Sequence, residues 1–137
     1  DRKTRDFLIG SYQSYLFNQW LSKRIEISLL LEKFSEVETE QFLELDEGIL
    51  QRTKEQQNFF KLIPGDLMMH YPYGRVFYVE ELGKEAERFA QKDIAPTGLL
   101  PGTKVKRAEG AARVIESHCD EEMRQSGARR YAWIQVT

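Results

Sequence analysis

From Arg5 to Arg24 the chain runs without a proline and with one glycine, Gly10. Leu8, Tyr12, Leu16 and Trp20 recur at every fourth position, and Phe7, Tyr15, Phe17 and Leu21 widen the same side. This spacing predicts one long helix with a broad apolar stripe, and such a helix obliges the rest of a small domain to pack along it. Thr4 stands where an N-cap belongs, because its hydroxyl can accept from an unpaired amide of the first turn. Asp6 then suits the positive end of the helix dipole.

A chain of 137 residues with 41% hydrophobic residues is the size of one domain and can bury a core. It has no apolar run of membrane-spanning length and does not open on a signal sequence, so neither a membrane partner nor export is expected. Cys119 is the one cysteine, which excludes an internal disulfide and fits a reducing, cytoplasmic setting. The net charge of −2 hides a division: between Glu32 and Glu55 eight acids face three bases, and the remainder is net positive. Any nucleic-acid contact therefore has to use local basic patches.

Beyond Arg24, Ile25 to Leu31 either continues the first helix or begins a second. Ser35-Glu36-Val37-Glu38 has a capping-box pattern and predicts a short helix to about Leu43. Asp46 resembles another N-cap, and Ile49, Leu50, Thr53 and Gln57 share one side of a third helix. The pair has the outline of a helix-turn-helix, but its acidic surroundings repel phosphate, so DNA is not an expected partner. After the Pro64-Gly65-Asp66 turn, Leu67–Tyr71 and Arg75–Val79 read as a hairpin, and Leu82, Ala86, Phe89 and Ala90 as a following helix. Asp93 to Gly102 holds two prolines and two glycines and is expected to be an irregular loop with apolar anchors. Helical spacing resumes from Glu109 to Cys119, and Tyr131–Val136 is expected to be a strand. The fold class expected is α/β (α+β), a long first helix and several shorter ones on a small mixed or antiparallel sheet.

Searches for chemistry return little. His70 and His118 are far apart in sequence and no second cysteine supplies metal-ligand spacing, so no metal and no cofactor is expected. His118 and Cys119 are adjacent on a helix and point in different directions. Gly98 to Lys104 lacks the residue order of a phosphate-binding loop. Asn18 is a poor helix former among aromatic neighbours; a buried amide that ties the helix to the fold is expected, with an RNA contact as the alternative. Two basic patches are candidate RNA contacts: Lys104, Lys106 and Arg107 beside the Pro/Gly loop, and Arg2, Lys3 and Arg5 before the long helix. Residue by residue, the chain reads as an α/β domain with two basic patches and no visible active site.

Arg5-Asp6-Phe7-Leu8-Ile9-Gly10-Ser11-Tyr12-Gln13-Ser14-Tyr15-Leu16-Phe17-Asn18, then Pro64-Gly65-Asp66, then Pro96-Thr97-Gly98-Leu99-Leu100-Pro101-Gly102 resemble, in this order, the insertion domain of the TruD family of tRNA pseudouridine synthases. The resemblance covers nearly the whole chain; the segment from about residue 25 to 57 looks longer than in some members and carries no family motif. It marks Ser14, Asn18, Thr97 and Gly98 as motif residues without giving their role. It implies an isomerase acting on uridine, at position 13 of tRNA, in which the uridine is extruded, an Asp attacks and the base rejoins through carbon without a cofactor. The family's nucleophile lies in a Gly-x-Lys-Asp-like motif upstream of the insertion, and this chain has no match to it. No catalytic residue can be carried over. The expectation is a single domain over residues 1–137, noncatalytic by itself, with tRNA and the catalytic domain of the same polypeptide as partners. A self-contained module that binds a basic protein through the acidic helical segment is the alternative.

Overall fold

The computed structural model describes residues 1–34, 47–70, 74–102, 105–120 and 130–132. Helix α1 spans Arg2–Lys33. It therefore settles the choice left at Ile25, which continues the first helix. Its start lies earlier than Thr4: Asp1 is the N-cap, its Oδ1 accepting from the Lys3 amide at 3.2 Å and its Oδ2 from the Thr4 hydroxyl at 3.4 Å. Asp is the stronger cap, and nothing between Arg2 and Arg5 opposes one more helical turn, so the helix extends back to it. Asp6 falls in the second turn instead of the first.

Helix α2 spans Glu47–Lys54 and buries Leu50 and Thr53, as its spacing predicts. The helix expected at 35–43 and the Asp46 cap lie outside the described residues. Strands β1 (Leu67–His70) and β2 (Val76–Tyr78) form the expected antiparallel hairpin, with Leu67 opposite Tyr78 and Met69 opposite Val76. Helix α3 follows at Leu82–Ala90 and helix α4 at Gly110–Ser117.

The irregular loop expected from Asp93 to Gly102 is overturned. Ile94–Leu99 forms β3, an inner strand of an antiparallel sheet ordered β2-β1-β3-β4, in which β4 is Arg130–Ala132. The remainder of the strand expected to Val136 lies outside the described residues. Pro96 is tolerated here because the registered pairing changes partner beside it. Ile94, Ala95 and Pro96 face β1, whereas Thr97, Gly98 and Leu99 face β4, so the missing amide falls at the changeover.

Trp20, Leu31, Leu50, Phe60, Leu62, Ile63, Met68, Phe89 and Ile94 make the core between α1, the sheet and α3. A charge sits inside it. Arg24 is fully buried, donating from Nη1 and Nη2 to the two Asp66 carboxylate oxygens at 2.6 and 2.7 Å and from Nη2 to the Lys61 carbonyl at 2.9 Å. Its guanidinium lies 5.6 Å from the Trp20 ring centre and 4.9 Å from that of Phe60. Asp66 also accepts from the Ile63 amide at 2.8 Å, so the Pro64-Gly65-Asp66 turn fixes the carboxylate that receives Arg24. A fork-to-fork pair with further hydrogen bonds is the arrangement that offsets the cost of burying two charges.

Candidate nucleic-acid interface

Of the basic patch after β3, Lys104 lies outside the described residues. Lys106 is exposed, its Nζ 4.6 Å above the Tyr78 ring, and the Tyr78 hydroxyl donates to the Arg107 carbonyl at 2.9 Å. The ring thus supports the cation without neutralising it. Burial is the main reason the Tyr78 phenol is pushed above its ordinary pKa, and Glu109 adds to this.

Arg107 is bound differently. Its Nε donates to Asp120 Oδ2 at 2.7 Å, its Nη2 to the Gly102 carbonyl at 3.0 Å and its Nη1 to the Val105 carbonyl at 3.3 Å. Arg113 approaches the same Asp120 oxygen at 2.8 Å. Burial pushes the Asp120 carboxyl up, but hydrogen bonds from Arg107 and Arg113 outweigh it and hold the group below its usual range. The Asp120 bond raises the Arg107 guanidinium in turn. Arg107 is therefore the brace of this loop, and Lys106 beside it holds the exposed charge.

The other patch is built by α1. Arg2, Lys3 and Arg5 are exposed on its first turns, where helix amides and dipole add to their charge. The two patches stay separate elements: among the described residues, no hydrogen bond or ion pair links them. Asn18 is exposed, against the expectation of a buried tie. The buried amide that performs that task is Gln13, whose Nε2 donates to the Pro101 carbonyl at 2.7 Å. Five residues earlier on a helix, Gln13 points roughly opposite to the Ser14 and Asn18 side, which explains why only one of the two faces the fold.

No family model matches the chain. Against known proteins, it is 53% identical over 98% of its length to a tRNA pseudouridine synthase D of Nitratiruptor sp.. It is 48% identical over 96% of its length to that of Sulfurimonas denitrificans, and 44% over 98% to that of Helicobacter pylori strain 26695. The chain is homologous to part of tRNA pseudouridine synthase D. The resemblance read from its motifs is borne out, and the chain spans 37–38% of the length of these relatives.

Within this synthase D segment the motif residues divide by task. Thr97 donates from Oγ1 to the Leu67 carbonyl at 2.8 Å and accepts there from Arg130 Nε at 2.7 Å. Arg130 goes on to the Thr97 carbonyl at 3.0 Å, the Lys106 carbonyl at 2.9 Å and buried Glu116 at 2.5 Å. Glu116 also accepts from the Ala108 amide at 2.9 Å, so β3, β4 and α4 meet at one satisfied network. Gly98 lies beneath α1, where an added Cβ would meet the Phe17 and Trp20 rings at 2.5 to 2.7 Å. Gly65, at φ 92, leaves room for the Glu109 backbone and accepts from its amide at 3.0 Å. Thr97, Gly98, Gly65 and Asp66 are thus framework residues.

Ser14 and Asn18 are the motif residues left on the outside. With Phe7, Gly10, Ser11 and Tyr15 they line an open groove along α1. Reasoning from sequence missed the two buried arginine networks. A signal was present for Arg24, which stands four residues after Trp20, three before Ile27 and seven before Leu31, a charge in the middle of the apolar stripe. Arg130 had no comparable mark.

Proposed function

We propose that the chain is the RNA-contacting insertion domain of a tRNA pseudouridine synthase D, comprising residues 1–137, and that it forms no pseudouridine by itself. In this reading it faces the catalytic domain of the same polypeptide across an RNA-binding cleft, the substrate is uridine 13 of tRNA, and the enzyme works in the cytoplasm. The observation that carries it is the combination of 42–53% identity along nearly the whole chain with coverage of 37–38% of each relative. Arg2, Lys3, Arg5, Lys104 and Lys106 approach the phosphates, and Arg107 holds the loop that presents the last two. Such contacts position an RNA without reading its sequence.

The isomerisation needs an Asp free to attack a bound nucleoside. The described aspartates support assigning that task elsewhere. Asp66 is held by Arg24, Asp93 by Arg88 and Asp120 by Arg107 and Arg113, while Asp1 caps α1 and Asp6 is exposed on that helix. Incubating the folded chain with tRNA, beside the Nitratiruptor synthase as positive control, is expected to yield no pseudouridine. Conversion by the chain alone overturns the noncatalytic role. For the RNA contact, the segment is spliced in place of its counterpart in that synthase and tRNA affinity is titrated with salt. Lys106→Gln is expected to weaken binding and to flatten the dependence on salt by about one counterion. An unchanged slope and affinity remove Lys106 from the interface.

A further inference from the structure

Helix α1 leaves one face of its first half uncovered. Phe7 is 72% exposed and Tyr15 55% exposed, and between them Gly10, Ser11 and Ser14 form a floor of small side chains that ends at Asn18. A Cβ added to Gly10 would meet nothing within 4 Å. Large walls over a floor of small residues at three- and four-residue spacing are what a second helix or an extended backbone packs into. The charge distribution identifies the kind of occupant. In a chain that is 31% charged, no Lys, Arg, Asp or Glu occurs from Phe7 to Ser22. Depletion of charge together with aromatic enrichment marks the dry centre of a protein interface, whereas an RNA groove carries cations to follow the phosphates.

We propose that this groove is the docking face for the catalytic part of the synthase polypeptide, packed against α1 through Phe7, Tyr15 and the small floor, with Asn18 supplying a polar anchor at its end. The inference rests on the insertion-domain reading above. The relatives supply the occupant, since well over half of their length lies beyond the region this chain matches. Burying two exposed aromatic side chains there contributes at the centre of such a contact, where affinity concentrates. The basic first turn, with Arg2, Lys3 and Arg5, then lies at the rim of the contact, next to the cleft that the RNA occupies.

The test places a thiol on the groove floor. Ser14→Cys and, as an independent variant, Ser11→Cys are made in the chain and in the chimera with the Nitratiruptor synthase. Reaction with a maleimide is timed against the unsubstituted proteins, which give the background of Cys119. The expected result is fast labelling in the chain and labelling at least ten-fold slower in the chimera, before any tRNA is added. Labelling in the chimera that is slowed only by tRNA overturns the proposal in favour of an RNA face. Slow labelling in the chain itself, together with a dimer mass, overturns it in favour of a second copy. Equal, fast labelling in every sample also overturns it. Pseudouridine formation by the unsubstituted chimera is read separately, so a wrong family role and a wrong face give different results.

Discussion

Two sides of α1 both carry apolar residues and meet opposite fates. Along one side Leu16, Trp20, Ile27 and Leu31 are buried, the last three in one core with Phe60 and Met68, and this side also encloses Gln13 and Arg24. On the other side Phe7, Leu8 and Tyr15 are exposed, and Ile25 and Leu29 continue that exposed side into the second half of the helix. Periodicity states which residues share a side of a helix. It does not state whether the surface that covers that side lies within the same segment. The difference is made by what returns to α1: the Pro64-Gly65-Asp66 turn and β3 come back to the side of Trp20 and Arg24, and the groove side receives no such element among the described residues.

The contrast is broken most severely at Arg24. Removing one partner of a buried ion pair leaves the other charge without compensation, so Arg24→Ala is expected to cost about 3–5 kcal/mol in urea unfolding. Replacing both partners, as Arg24→Met with Asp66→Leu, is expected to cost clearly less, because the stranded charge goes with the second substitution. A loss below about 1 kcal/mol for Arg24→Ala would show that the second half of α1 is not held by this pair.

Next in size is Gly98→Ala. The new methyl meets the Phe17 and Trp20 rings at 2.5 to 2.7 Å, and one of the two elements has to move away. Overpacking of this kind costs about 1–3 kcal/mol. The expected readings are a lower unfolding midpoint and a changed Trp20 fluorescence signal. A variant as stable as the parent would mean that α1 and β3 are not in close contact at this position.

Much of this fold was legible in the sequence, and the failures have physical causes. The hairpin, α3 and α4 were predicted because their apolar residues alternate or recur against a single covering surface. β3 was missed because Pro96 and Gly98, counted as breakers, each occupy a position where the fold needs no donor and no side chain. The N-cap was misplaced by one turn because Thr4 and Asp1 are both competent caps. For the candidate site, the basic residues were visible as residues but their employment was not. Arg107 and Lys106 are neighbours in sequence, yet Asp120 engages one and Tyr78 supports the other, through pairings 13 and 28 residues apart.

A smaller effect tests whether the Arg107 brace acts as the pair around Arg24 does. Asp120 has its folded pKa depressed by Arg107 and Arg113. Its contribution is therefore present above the unfolded carboxyl value, near 4, and is lost as pH falls through the lower folded value. Asp120→Asn is expected to cost about 1 kcal/mol at neutral pH, since both arginines are partly exposed and the pairing is screened. The variant and the parent should draw together in stability as the pH falls from the unfolded carboxyl value through the depressed folded one. A constant difference across that range would mean that the carboxylate charge is not what holds the loop.

The smallest effect is expected at the uncovered end of α1, and its smallness is informative. Phe7→Ser and Tyr15→Ser remove side chains that stand mostly in solvent, so each is expected to change the unfolding free energy of the chain by no more than about 0.5 kcal/mol. Tyr15→Ser also removes the acceptor of the Gln19 amide, a 2.7 Å bond within one exposed helical turn that water replaces at little cost. The same large-to-small changes made at Trp20 or Leu31 would cost several times more, because those residues lie on the side of the same helix that the core covers. Stability of the chain thus separates the apolar residues that hold this segment together from those that do not. A loss of 2 kcal/mol or more at Phe7 would place that residue in the first class, and the two sides of the helix would then differ only in appearance.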